Sequence, residues 1–141
     1  MGCDIHLHTE VKIKDTWHHH GHPYIPRSYM LFAKMANVRN HNRGVHIAYP
    51  LKPHEGLPGD LTYLTQCYYN WDDKQAHIHH VGWLDGAQIN ELSRWFESED
   101  RGEYEAFETL FDYVFDNGWF DAASMIGTGV IDVRFIFWFD N

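Results

Sequence analysis

Asp4-Ile5-His6-Leu7-His8-Thr9-Glu10-Val11-Lys12-Ile13 alternates with a period of two. Ile5, Leu7, Val11 and Ile13 fall on one side with Thr9 among them, while Asp4, His6, His8 and Glu10 fall on the other, as successive side chains of a strand must. The pattern is that of a β-strand with one apolar face and one face carrying two carboxylates and two imidazoles. At the far end, Val130-Ile131-Asp132-Val133-Arg134-Phe135-Ile136-Phe137-Trp138-Phe139-Asp140 has the same period. Ile131, Val133, Phe135, Phe137 and Phe139 share one face. The opposite face mixes Val130, Ile136 and Trp138 with Asp132 and Arg134, and apolarity on both faces marks a central strand covered on each side.

Between these termini the periodicity lengthens. Ser28 is a good N-cap for Leu31, Phe32, Met35 and Val38, with Asn40 to Gly44 closing that helix. Asp60 caps a second helix through Leu61, Leu64 and Tyr68 that ends at Asp72-Asp73-Lys74. Asp85 with Gln88 forms an Asp variant of the capping box ahead of Ile89, Leu92 and Phe96. Tyr104, Phe107, Leu110, Phe111, Val114 and Phe115 form a fourth helical stripe, closed by Asn117-Gly118. Residues 45–51 read as a short edge strand bounded by Pro50 and Pro53, and residues 76–83 as a strand with His77, His79, Val81 and Trp83 on one face. Lys14 to Trp17 reads as a turn or strand end, and His18-His19-His20-Gly21-His22-Pro23 as a loop. The expectation is one α+β domain over residues 1–141: a mainly antiparallel sheet, N- and C-terminal strands central, packed by about four helices.

A chain of 141 residues can bury a core without disulfides. Cys3 and Cys67 form no disulfide framework, which fits a reducing cytosol. The apolar runs fall short of a membrane span and no signal-peptide pattern opens the chain. Met1-Gly2-Cys3 suggests lipidation, but His6 stands where the myristoylation pattern wants Ser or Thr. The net charge of −9 divides into +2 over residues 1–60 and −11 over residues 61–141. An acidic chain is poorly suited to long nucleic acid, whose affinity comes from neutralised phosphates. One small nucleotide in a locally basic pocket remains compatible with it.

Two segments carry His-x-His. Residues two apart on a strand sit about 6.6–7 Å apart on one face, so their imidazoles can converge on one ion. If the two strands are neighbours with these faces aligned, His6, His8, His77 and His79 make a nitrogen-rich site for zinc or manganese. Asp4 or Glu10 then serves as an oxygen ligand or as the base acting on metal-bound water. The alternative is a polar sheet face satisfied within the fold. A second set suits an anion: Arg39 and Asn40 at the end of the first helix and Arg134 on the last strand, with Trp83 and Trp138 to stack a base. The alternative there is an internal Arg–carboxylate pair beside core tryptophans. Gly-rich phosphate loops, a Ser nucleophile elbow and zinc-spaced Cys pairs are absent from the sequence.

His6-Leu7-His8-Thr9 resembles the opening motif of the PHP-type phosphoesterases over four residues. The further spaced His and Asp motifs of that larger barrel family have no counterpart here. More broadly, the Met1-Gly2-Cys3-Asp4-Ile5-His6 start, Phe32-Ala33 with Val38-Arg39-Asn40, Gly56-Leu57-Pro58 followed by Asp60, and the closing Phe137-Trp138-Phe139-Asp140-Asn141 resemble a family of small uncharacterised bacteriophage proteins. That resemblance implies a phage-encoded protein of the host cytoplasm and brings no activity with it. The His18–His22 segment has no counterpart in it. Two functions follow as expectations. One is a metal-dependent hydrolase of a phosphoester or nucleotide, with Arg39 or Arg134 as phosphate clamp. The other is a non-enzymatic binder that sequesters a host signalling nucleotide or blocks a host protein.

Overall fold

The two terminal stretches are neighbouring strands. β1 (Asp4–Ile13) and β5 (Val130–Asp140) pair antiparallel from Asp4 opposite Asp140 to Ile13 opposite Val130. A computed structural model describes residues 2–41, 44–98 and 129–141. Within them lie β2 (Thr16–Gly21), α1 (Tyr29–Ala36), β3 (His54–Glu55), α2 (Tyr63–Gln75), β4 (Ile78–Leu84) and α3 (Gly86–Ser98). The sheet runs β2-β1-β5-β4-β3, every neighbouring pair antiparallel. The α+β class and the central position of both terminal strands are as the alternation predicts. The fourth expected helix, Tyr104 to Phe115, lies outside the described residues.

One sheet face is the apolar core. Ile5, Leu7, Val11, Val133, Phe135, Phe137, Phe139 and Leu84 pack there with Leu31, Phe32 and Met35 of α1 and Ile89 and Leu92 of α3. Phe32 meets Phe139 edge-on at 5.2 Å between ring centres. A fully buried side chain of this kind contributes roughly 1.5–3 kcal/mol. The other face is polar at β1 and is covered by α2. The side of α2 facing inward is polar to match: Thr65, Tyr68, Tyr69 and Asp72 recur at helical spacing and each contacts a residue of β1 or β5.

The helix caps follow side-chain chemistry. Ser28 Oγ accepts from Leu31 N–H at 3.2 Å, and Asn37 in the left-handed region (φ 57°) ends α1 earlier than the Asn40–Gly44 stop. Asp85 and Gln88 cap α3 reciprocally, both bonds at 3.0 Å. α2 is capped by Thr62, not by Asp60, which Arg134 engages instead, and it runs on to Gln75.

Two strand assignments change. Residues 45–51 form no strand, and the edge is β3, whose His54 and Glu55 pair with Trp83 and Gly82. The His18–His20 run is strand, not loop. Lys14 at φ 55° turns the chain back, so β2 lies against β1 with Glu10 opposite His19 and Lys12 opposite Trp17. The register also shifts in β4 between His79 and Gly82, where His80 has φ 52°. This bulge sends Trp83 to the face of Ile136 and leaves His79 on the face of Phe139.

Candidate functional site

On the α2-covered face, Glu10 and Arg134 lie opposite each other and are 0% and 3% exposed. Glu10 Oε1 accepts from Arg134 Nε at 3.0 Å and Nη2 at 2.7 Å. Glu10 Oε2 accepts from Thr62 N–H at 3.2 Å, from the Thr62 hydroxyl, and from Thr65 Oγ1 at 2.6 Å. Arg134 also donates from Nη1 to Asp60 Oδ1 at 2.7 Å and from Nη2 to the Asp60 carbonyl at 3.1 Å. Four of the guanidinium's five N–H groups are thus spent inside the protein. Both carboxylate oxygens of Glu10 and most of the Arg134 donors are turned inward, away from any water or phosphate in the cleft. The two residues are the internal pair that a charge in a covered sheet requires.

Above this pair an open cleft of about 470 Å³ is lined by Trp17, Pro58, Gly59, Asp60, Trp83, Asp85, Asp132, Val133 and Arg134. The Arg134 guanidinium sits 3.9 Å from the Trp17 ring centre and 5.9 Å from that of Trp83. Trp83 stacks on His54 at 4.0 Å, and His54 Nε2 bonds Asp85 at 2.9 Å. The hydrogen bond from Arg134 holds the Asp60 carboxyl below its ordinary pKa. Three carboxylates against one guanidinium make the lining acidic.

Farther along β1 the same face carries imidazoles. His6 lies between Asp140 (Nε2 to Oδ2, 2.6 Å) and Asp72 (Nδ1 to Oδ2, 3.5 Å), and Asp72 also accepts from Trp138 Nε1 at 3.0 Å. A hollow of about 260 Å³ beside it is lined by Asp4, His6, His8, His22 and Asp140, among others. His8 is buried, stacks on Trp138 at 4.9 Å, and has Nδ1 at 3.1 Å from His19 Nε2. Burial pushes the pKa of His8 down to about 3, and His19, His22 and His6 add repulsion.

That depression makes stability depend on pH. The unfolded chain takes up a proton at His8 near its ordinary value of 6.5 and the folded chain does not, so stability is full above about pH 6.5 and drains as pH falls toward 3. At about 1.4 kcal/mol per pH unit, lowering the pH to about 5 is expected to cost roughly 2 kcal/mol. Urea unfolding of metal-free protein at the two pH values measures it. If His8→Phe has the same pH dependence as the parent chain, His8 is not its source.

The proposed His set is not assembled. β5 lies between β1 and β4, and His79 faces the Phe139 side, away from His6 and His8. His77 precedes β4 and is exposed. His79 Nε2 approaches Asn141 Oδ1 at 3.0 Å and Cys3 Sγ at 3.9 Å, and Arg39 Nη2 donates to the same Asn141 oxygen at 3.4 Å. Cys3 is fully buried and burial pushes its thiol pKa up, with Arg39 opposing. Such a thiol is inert, not a nucleophile. Asn40 staples its own loop, donating to Ile47 O at 2.8 Å and accepting from Ile47 N at 2.9 Å. The anion set is divided likewise: Arg39 lies beside Tyr29 and Asn141, Arg134 lies beneath α2, and Trp138 is wholly buried and closed to a stacking base. Asp4 is held by Arg27 through two bonds of 2.9 and 3.0 Å, which keep its carboxyl below the ordinary pKa. It stands about 20 Å along β1 from Glu10, six residues away.

Trp17, His19, Asp60 and Asp85 stand in these sites without a sequence motif that marks them. For Trp17 and His19 the one signal is their two-residue spacing after a turn. Among the described residues no group of three or more His, Cys, Asp or Glu is placed to hold a metal ion, and no helix is long and apolar enough to cross a membrane. Comparison with known proteins finds no matching family model, curated protein or solved structure.

Proposed function

We propose that the chain is a non-enzymatic binder whose indole-walled cleft receives a basic side chain of a partner polypeptide. The observation that carries this reading is the lining itself: Trp17 and Trp83 with Asp60, Asp85 and Asp132 around an Arg134 that already spends four of its five N–H groups inside the protein. Indole faces and carboxylates both attract a guanidinium or ammonium, and they repel a phosphate. The partner is thus a protein with an exposed Arg or Lys and not a nucleotide. On the resemblance to phage-encoded proteins, it is a host polypeptide met in the cytoplasm.

Titration with a short arginine-containing peptide, followed by NMR at the indole N–H signals of Trp17 and Trp83, tests this. Saturable shifts are expected, weakened at least tenfold in the Asp85→Asn/Asp132→Asn double variant. Saturation by AMP with no response to the peptide would move the assignment to nucleotide sequestration, and silence toward both would remove the cleft from consideration. A metal-dependent hydrolase is the second reading, favoured by His6 between two carboxylates beside a hollow. Zinc- or manganese-dependent turnover of an activated phosphodiester, lost in His6→Ala, would establish it.

A further inference from the structure

We propose that His8, His19 and His22 form a binding site for one divalent transition-metal ion of the zinc class. The site lies where β2 folds back on β1, and it is independent of the indole cleft. Strand alternation puts His19 on the face of Glu10, while His18 pairs with Val11 on the opposite face. The register shift between Thr9 and Glu10 then carries Gly21 opposite Thr9, so that His22 arrives beside His8.

The separations suit a shared ion. Zinc–imidazole bonds of about 2.0–2.1 Å at tetrahedral angles place ligating nitrogens about 3.3 Å apart and ring centres about 5 Å apart. His8 Nδ1 and His19 Nε2 are 3.1 Å apart. The ring centres are 5.4 Å apart for His8–His19, 5.4 Å for His8–His22 and 6.1 Å for His19–His22. The pair is one ligand short as it stands, in keeping with the lack of a ready three-ligand group. His22 is exposed and its ring is near both others, so the site requires its side chain to turn until a ring nitrogen faces theirs.

The surroundings favour binding. Tyr68 lies 5.0, 6.0 and 4.5 Å from the three rings, and Trp138 backs His8, so one side of the site is walled by aromatic rings. Burial opposes protonation of His8 and His19 to the imidazolium form, and an ion between them would take the place of the hydrogen shared by His8 Nδ1 and His19 Nε2. His8 and His22 also line the hollow that His6 and Asp140 border, so a further ligand would approach from that side.

The test is calorimetric titration with zinc of full-length protein that carries no affinity tag and has been stripped by a chelator, paired with cobalt absorption. One equivalent is expected to bind, with a visible cobalt spectrum of tetrahedral type. His19→Ala and His22→Ala should each weaken binding at least tenfold, while His18→Ala/His20→Ala should leave it unchanged. Melting curves verify that each variant is folded, and His22, being exposed, serves if His19→Ala is not. Absence of stoichiometric binding, or its survival in a folded His19→Ala or His22→Ala variant, overturns the proposal. Binding lost only with His18 and His20 would identify adventitious chelation on the opposite face of β2.

Discussion

Replacing Arg134 by methionine is expected to remove about 3–5 kcal/mol of stability, because it leaves the Glu10 carboxylate buried with no counter-charge. The donors that remain, Thr62 N–H and the Thr62 and Thr65 hydroxyls, are neutral. Domains of this size are stable by about 5–15 kcal/mol, so the loss is a large share of the whole. The stacking of the guanidinium on Trp17 at 3.9 Å goes with it. Glu10→Leu combined with Arg134→Met should recover much of the deficit, since neither charge is then stranded. Urea midpoints for the two single variants and the double variant give the coupling energy. A loss below about 1 kcal/mol for Arg134→Met would mean that the pair is hydrated and not sealed beneath α2.

Removing residues 134–141 is expected to abolish folding. The deletion takes out most of the strand that joins β1 to β4, and with it the buried Phe135, Ile136, Phe137, Trp138 and Phe139. It also exposes the ladder edges of both neighbours, whose amides and carbonyls then have no partners. Far-UV circular dichroism and proton NMR should show an unfolded or aggregated chain. A milder version, Phe137→Ala, should cost about 3–5 kcal/mol as a cavity in the core. If the shortened chain gave dispersed amide signals, β5 would not be the element that closes the sheet.

These outcomes rest on the part of the fold that the sequence makes legible. β1 and β5 could be read because apolar and polar residues alternate along them, and because β5 is apolar on both faces. The Asp85–Gln88 cap was legible for a similar reason, since its chemistry lies within four residues of chain. The site was less so. Three consecutive histidines hide a period of two, so His19 could not be told from His18 and His20 without the hairpin that pairs it with Glu10. The bulge after His79 reverses which side chains share a face with Trp83, and nothing in the local composition marks it. Asp60 and Thr62 are both good caps. Which of them starts α2 depends on Arg134, 74 residues from Asp60 along the chain. Spacing reveals faces, and only the strand order reveals which faces meet.

The place of β5 in the sheet also has a consequence for how the protein is made. Leu7 is opposite Phe137, and both sit at the middle of the sheet. During synthesis the β1–β2 hairpin, α2 and the β3–β4 pair all emerge before the strand that unites them. Until β5 arrives, β1 and β4 each present an open edge, and the apolar faces of α1 and α3 lack the phenylalanines they pack against. Pairing so distant in sequence makes for slow folding, because a long loop must close before the contacts reward it. The nascent chain is therefore at its most vulnerable to aggregation just before its sheet is completed, and a chaperone that shields β1 at that stage would be expected to raise the yield of folded protein.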